Sequence, residues 1–389
     1  MQIKTLKNTQ ISGKRVLVRA GMDVPVDKEG NITNDKRIIE GLPTLKFLLD
    51  NNVKQIVILN HMGRPKSKDD KALTHNKLAE KLSSYLKVKV TKLDDCIGIE
   101  IPADKVVLLE NVRFYKEETD NNDAFAKKLS EYGDIFVNDA FSVSHRNQAS
   151  VTGIPKFLPS CAGLLLEKEI TILGNALNIP QRPFVVILGG AKVSDKLGLI
   201  KNMLPKVDYI LIGGAMMFTF YRAKGYNTGK SLIEENLIPE ITPLLTNLKV
   251  KIPEDVVVAD AMDAKSESRI VQACNIGDKM GLDIGPDSVM QYQRKLYLAK
   301  TIFWSGPLGA FEIDKFSYGT RDIARYIANN SKGKTTIIGG GDTVAAIEKF
   351  GLQDKFTHVS TGGGASLEFM EGKVLPGIKA LEDNFNRFG

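Results

Sequence analysis

The chain has 389 residues, 43% hydrophobic and 25% charged, an ordinary globular composition with enough length for two buried cores. No run of about 18 consecutive apolar residues occurs, and Met1 to Lys14 is polar and mixed, so neither a membrane span nor an export signal is expected and the protein is read as soluble and cytoplasmic. Three scattered cysteines (Cys96, Cys161 and Cys274) argue against a disulfide framework or a C-x-x-C knuckle. The formal charge of +7 fits a nucleic-acid partner, a lysine-rich proteome or sites for small polyanions, and plain solvated surface is favoured because the lysines lack interleaved arginine and aromatic residues.

In chain order, short runs rich in Val, Ile and Leu alternate with amphipathic stretches of helical period, the pattern of parallel strands buried on both faces by crossover helices. Strands are expected first at Arg15 to Val18, Gln55 to Leu59, Val106 to Leu109 and Asp134 to Val137, with helices at Ile38 to Asp50 and Asn76 to Leu86 among them. Pro159 to Leu177 is apolar on a helical repeat and stops before the polar turn Asn178 to Pro183, so it reads as a connecting helix. The theme then repeats, with strands at Phe184 to Leu188, Tyr209 to Ile212, Val256 to Ala259, Thr301 to Phe303, Thr335 to Ile338 and Thr357 to Val359. A helix begins at Ser366 to Met370, and the tail from Leu375 has no docking site that the pattern specifies. The fold class is therefore α/β, each half its own doubly wound parallel sheet flanked by helices. The expected domains are 1–170 and 171–389, with the tail from about residue 375 able to pack back on the first.

In open parallel sheets ligands gather beyond the carboxyl ends of the strands. In the first half those positions hold Arg19 with Asp23, His61 with Arg64, Arg113, and Asp139 followed by His145 and Arg146, while Arg37 follows the turn at Asn31. Each guanidinium is a planar fork of donors, so several in one crevice point to a small ligand with more than one anionic group. His61 and His145 can bind anions there or act as acids, whereas His75 and His358 read as structural or solvated. In the second half the same positions hold glycines: Gly189-Gly190-Ala191-Lys192, Gly213-Gly214, Gly306-Pro307-Leu308-Gly309, Gly339-Gly340-Gly341-Asp342-Thr343 and Gly362-Gly363-Gly364. Glycine admits a phosphate close to the backbone, and a helix starting there aims free N–H groups at it. With Lys192 and Lys196 as point charges and Asp342 able to hold Mg²⁺, a nucleotide polyphosphate is the natural occupant. GYNTGKS at Gly225 to Ser231 is one residue short of a P-loop and follows a helical stretch, Phe218 to Lys224, so it is rejected as one. No G-x-G-x-x-G follows a strand, which counts against a nicotinamide enzyme.

These motifs together resemble phosphoglycerate kinase: HMGRP at His61 to Pro65, LLENVRF at Leu108 to Phe114, VNDAFSVSHR at Val137 to Arg146, ILGGAKVSDK at Ile187 to Lys196, MGLDIGP at Met280 to Pro286, WSGPLGAFE at Trp304 to Glu312, IIGGGDT at Ile337 to Thr343 and HVSTGGGASLEF at His358 to Phe369. The resemblance runs nearly end to end and implies two Rossmann-like domains with a cleft between them. It implies a reversible, Mg²⁺-dependent phosphoryl transfer between 1,3-bisphosphoglycerate and ADP, yielding 3-phosphoglycerate and ATP. Carried over by position, Asp23, Arg37, His61, Arg64, Arg113 and Arg146 would hold the acyl substrate. Gly190, Lys192, Lys196, Ser305, Pro307, Gly309, Glu312, Gly341, Asp342 and Thr343 would serve the nucleotide, with Glu312 at the ribose and Asp342 at the metal. Three positions depart from the family pattern: RAGMDVP stands for the usual RVDFNVP, placing Gly21 for an aspartate and Asp23 for an asparagine, and Ser305 replaces the asparagine of WNGP.

A carboxylate nucleophile is already ionised at neutral pH, so no general base is needed and catalysis is alignment and charge neutralisation. Arg37, Lys192 and Mg²⁺ are the expected agents. Because the two ligand sets fall on different domains, hinge closure about the connecting helix is expected. No nucleic-acid or membrane partner is expected, and the protein is read as a monomer. Rival readings are a phosphotransferase for another carboxylate, suggested by Gly21 and Asp23, and a nucleotide-binding paralogue without catalysis.

Overall fold

The computed structural model describes residues 2–388. The chain divides into two compact units, one running to Thr171 and taking up the chain again at Val374, the other spanning Ile172–Lys373.

In the first unit β1 (Arg15–Ala20), β2 (Gln55–Leu59), β3 (Val90–Lys92), β4 (Val106–Leu108), β5 (Ile135–Asp139) and β6 (Ser160–Ala162) form a parallel sheet of order β3-β4-β2-β1-β5-β6. Alternate residues serve opposite faces. Val16, Val18, Ile56 and Ile58 pack on Ile38, Leu42, Leu45 and Leu48 of the helix Lys36–Asp50 and on Leu78 and Leu82 of Asn76–Leu86. Leu17, Val57 and Val107 meet Phe125, Ala126 and Leu129 of Asp123–Ser130 on the other side. Both faces are covered, so the strands read as unbroken apolar runs, and each buried Leu, Ile or Val contributes about 1.5–3 kcal/mol of transfer free energy.

The stretch expected to be helical from Pro159 begins instead with the edge strand β6, and the helix proper is Leu164–Asn178. Gly163 makes the junction: a Cβ there would lie 2.2 Å from Asp139 Oδ1. That oxygen accepts the N–H groups of Leu165 (2.9 Å) and Leu166 (3.2 Å), tying the end of β5 to the first turn of the helix. Asp139 is thus a structural cap and not a ligand-facing group, and its burial raises the carboxyl to about 7.

In the second unit β7 (Phe184–Leu188), β8 (Tyr209–Ile212), β9 (Val250–Lys251), β10 (Asp255–Ala259), β11 (Ser268–Gln272), β12 (Met280–Ile284), β13 (Thr301–Ser305), β14 (Thr335–Gly339) and β15 (His358–Val359) make two sheets. The larger is parallel, of order β15-β14-β13-β7-β8-β9. The smaller is antiparallel, β11-β10-β12, so Val256 to Ala259, expected in the main sheet, lies outside it. It carries its own apolar cluster of Val257, Ala259, Leu282 and Phe316.

The tail forms the helix Pro376–Phe388 and belongs to the first unit. Leu375, just before it, and its own Ile378 and Leu381 are buried. Buried Asn384 supplies the specificity: its Oδ1 accepts the Ser160 N–H of β6 at 2.8 Å, and its Nδ2 donates to the carbonyls of Pro155 (2.6 Å) and Leu158 (2.7 Å). Asn384→Ala would leave those groups unpaired away from water. It is expected to lower stability by roughly 2–4 kcal/mol, read as a shifted urea midpoint by circular dichroism; an unshifted midpoint would show that the tail contributes little.

Candidate active site

The first sheet turns back on itself at β1, whose neighbours are β2 on one side and β5 on the other. Such a switch opens a crevice at the carboxyl ends of the strands. There Asp23 Oδ1 accepts the Gly63 N–H at 2.8 Å, and its Oδ2 stands 3.3 Å from His61 Nε2 and 3.8 Å from Arg37 Nη1. Arg37 Nη1 also donates to the Asp23 carbonyl at 2.8 Å. Gly63 extends the chain of contacts, since its carbonyl takes Arg113 Nη1 at 2.8 Å.

Arg113, Arg64 and Arg146 line a cavity of about 630 Å³ with Lys66, Lys116 and Tyr115 among its other walls. Burial, and then the neighbouring charges of Arg19 and Arg146, lower Arg113 to about 10. Guanidiniums crowded this closely repel one another, and an anion relieves the repulsion. Among the described residues, the buried Nε atoms of Arg113 and Arg146 have no protein acceptor, which leaves donors for a ligand.

His61 is 1% exposed, and burial lowers it to about 3, with Arg19 and Arg113 pushing the same way against the pull of Asp23. It is a neutral ring at pH 7. Burial works to raise Asp23, but the donors on His61 and Gly63 and the charge of Arg37 outweigh it and hold the carboxyl well below its usual range. Arg19, expected to face ligand, lies within β1 and is wholly buried. His75 is structural: buried, with Nδ1 2.7 Å from the Leu109 carbonyl. At Gly21 a Cβ would come within 3.2 Å of Ala140 Cα and 3.4 Å of Ser142 Oγ, a hydroxyl with no protein partner among the described residues.

The second parallel sheet switches between β7 and β13. The loops leaving them interlock, with Gly189 N–H to the Ser305 carbonyl and Gly190 N–H to the Pro307 carbonyl, both at 2.9 Å. A Cβ on Gly189 would meet the Pro307 oxygen at 2.1 Å, so this glycine serves loop packing. Gly341, at the start of the helix Gly341–Lys349, has nothing within 4 Å of an added Cβ and is open to a ligand. Gly190, Pro307, Gly309, Glu312 and Asp342 converge on one cavity of about 480 Å³. The remaining expected residues stand around it. Lys196, largely buried, donates to Ser305 Oγ at 3.0 Å, and Thr343 Oγ1 accepts the Gly306 N–H at 2.6 Å, so these brace the loops. Lys192 is exposed on the same loop as Gly190. Burial lowers Lys196, against the pull of Asp195, Asp342 and Glu371.

Sequence reasoning missed the apolar wall of this cavity: Phe218, Leu232, Met262, Met280 and Leu282. Lys230, from the rejected GYNTGKS stretch, lines it too. Such a wall suits a flat ring, and Gly190, Pro307 and Asp342 belong to the same lining. Among the described residues no group of three His, Cys, Asp or Glu can hold a metal unaided, and no helix is long and apolar enough to cross a membrane.

The phosphoglycerate kinase family model matches residues 6–373. Similar curated proteins include the phosphoglycerate kinase of Nostoc punctiforme, 50% identical over 98% of this chain and 98% of its own length. The enzyme of Chlorobium limicola is 47% identical over 98% and 100%, and chloroplastic phosphoglycerate kinase 1 of Arabidopsis thaliana is 49% identical over 97% and 81%. Among solved structures, phosphoglycerate kinase from Coxiella burnetii superposes with a TM-score of 0.89 at 39% identity, covering 98% of this chain and 99% of that one.

Because the folded value of His61 lies below the unfolded value of 6.5, its contribution to stability is complete above pH 6.5 and is lost as pH falls towards about 3. Between pH 7 and pH 5 the loss is about 2 kcal/mol. Urea unfolding is expected to show a His61→Gln variant less sensitive to this pH step by about that amount; equal sensitivity would mean that His61 is not buried as the neutral ring.

Proposed function

The chain belongs to the phosphoglycerate kinase family, and from that premise we propose how its residues perform the family's reaction. The reaction is phosphoryl transfer between 1,3-bisphosphoglycerate and ADP, giving 3-phosphoglycerate and ATP in glycolysis, with a carboxyl group as acceptor in the reverse direction. The acyl substrate binds the first unit, its phosphate and carboxylate taken by Arg64, Arg113 and Arg146, with Arg37 beside the reacting carboxyl. The observation carrying this reading is the convergence of three guanidiniums on one cavity, Arg113 lowered by burial and then by the charges of Arg19 and Arg146, and, among the described residues, buried Nε donors of Arg113 and Arg146 that no protein atom accepts. The nucleotide binds the second unit, with its base against Phe218, Met280 and Leu282, its ribose at Glu312 and its phosphates at Gly190, Lys192 and the start of the Gly341–Lys349 helix.

Asp342 lines the nucleotide cavity together with Glu312, and its charge acts on Lys196. One carboxylate completed by phosphate oxygens and water is a coordination set that suits Mg²⁺ and would be too poor for Zn²⁺ or Ca²⁺. Mg²⁺ there would offset phosphate charge. Asp342 would hold it while Lys192 meets the transferring phosphoryl oxygens.

Proton transfer has no part in the step. The acceptor carboxylate is ionised at pH 7, and both nitrogens of His61 are engaged, Nδ1 by Arg19 at 3.0 Å and Nε2 by Asp23 at 3.3 Å. What remains is charge stabilisation: Arg37, oriented by the Asp23 carbonyl, and Lys192, on the Gly190 loop, supply positive charge where the three equatorial oxygens develop negative charge. The same reading takes the protein to be cytoplasmic and monomeric and to have no nucleic-acid partner.

In a 3-phosphoglycerate-dependent assay of MgATP consumption, Arg37→Ala and Lys192→Ala are each expected to lower kcat by roughly 10²- to 10³-fold. Arg37→Ala should leave the Kd for ADP unchanged. Turnover at the wild-type level in either variant would remove that residue from the mechanism.

A further inference from the structure

Arg19 has no part in the mechanism above, yet it is a whole guanidinium inside β1 with none of its surface in water. Each of its three nitrogens has a named partner. Nε donates to Ser150 Oγ at 2.7 Å, Nη1 to the Ala20 carbonyl, and Nη2 meets His61 Nδ1 at 3.0 Å. Ser150 passes the contact on: its hydroxyl donates to Glu118 Oε1 at 2.6 Å and its N–H to Glu118 Oε2 at 2.8 Å. Glu118 is itself fully buried. A buried cation is therefore matched by a buried carboxylate one hydroxyl away, an arrangement that is costly to form and worse to break from one side.

The chemistry of the two neighbours of His61 decides its protonation. A guanidinium carries no lone pair and can only donate, so Nδ1, facing Arg19, must present its own lone pair. The single proton of the neutral ring then sits on Nε2, which faces the acceptor Asp23 Oδ2 at 3.3 Å. In the opposite tautomer both contacts fail, donor against donor at Arg19 and lone pair against carboxylate at Asp23. With the proton on Nε2, Asp23 is held between His61 and the Gly63 N–H, and its carbonyl carries Arg37 at 2.8 Å.

We propose that Arg19, with Glu118 as its counter-ion relayed through Ser150, is a positioning residue for phosphoryl transfer: it fixes His61 as the Nε2–H tautomer, and His61 in turn holds Asp23 and the Arg37 that Asp23 carries. The final link, from Arg37 to turnover, rests on the functional reading above, whereas the tautomer stands independently of it.

The test is nitrogen-15 NMR of the full chain labelled at histidine, at neutral pH. The chain has four histidines, and comparison with His61→Gln identifies the His61 signals. The expected spectrum shows a bare Nδ1 and a protonated Nε2; a proton on Nδ1 in the wild type overturns the proposal. Arg19→Lys, which also only donates, should keep the tautomer. Arg19→Met is expected to release it into a mixture and to lower kcat by roughly ten- to a hundredfold through misplacement of Arg37. Because Arg19→Met strands Glu118, the double variant Arg19→Met/Glu118→Gln provides the same readout with both charges removed. A tautomer unchanged in the double variant, or a released tautomer with wild-type kcat, contradicts the positioning role. Failure of Arg37→Ala to affect turnover while the tautomer behaves as expected would locate the error in the functional reading instead.

Discussion

Placing the charge of Arg19 entirely out of water is the constraint on which the rest of the first unit depends. Removing a guanidinium from water costs several kcal/mol even after relaxation, and the fold accepts it because each guanidinium nitrogen has a partner and Glu118 lies one hydroxyl away. The consequences run outward. His61 stays neutral, Asp23 stays ionised, Arg37 is tethered to the Asp23 carbonyl, and Arg113 is lowered to about 10 by its own burial and then by the charges of Arg19 and Arg146. A set of repelling cations held in fixed places is stable enough to fold and poised to take up an anion. That is the condition for binding by differential electrostatics instead of by burial of area.

In the proposed reading the second unit meets a polyphosphate by other means. Its switch point is closed by backbone, Gly189 and Gly190 after β7 donating to the Ser305 and Pro307 carbonyls at the end of β13, and its largely buried Lys196 leans on a serine hydroxyl. In that reading phosphate recognition falls to N–H groups at a helix start and to Lys192, while an apolar wall faces a ring. The two sites differ as their ligands do. A small acid with charges at both ends suits converging guanidinium forks, and a nucleotide needs one polar end and one apolar end.

The parallel strands were legible because burial on both faces leaves unbroken runs of Val, Ile and Leu, and all those read in the first half appear in its sheet. Most of what escaped was short or exposed, the exception being the buried β12 of the small antiparallel sheet. β3, β6 and β9 have two or three residues, too few to show a period, and the exposed β11 has no apolar pattern at all. Val256 to Ala259 has the composition of a parallel core strand, and only its antiparallel partners, β11 and β12, reveal that it belongs elsewhere. In the sites, charged and glycine-rich motifs announced themselves, since Arg64, Arg113, Arg146 and the loops at Gly190 and Gly341 lie beside strand ends. The apolar wall did not, because Phe218, Leu232 and Met280 come from separate elements and look like core when taken singly. Arg19 escapes for the converse reason: an arginine at a strand end resembles a ligand group until its burial is seen.

The central claim is that the guanidinium cluster is kept in a strained, anion-accepting state. The most direct measurement pairs thermal unfolding of the ligand-free protein with calorimetric titration of 3-phosphoglycerate and ADP, in wild type and Arg113→Met. Removing one of the repelling charges is predicted to leave the ligand-free Tm unchanged or raised, to weaken 3-phosphoglycerate binding at least about tenfold through loss of charge-assisted hydrogen bonds, and to leave ADP binding as it was. A lowered Tm with 3-phosphoglycerate affinity intact would contradict the account, because Arg113 would then be part of the scaffold and not of the site.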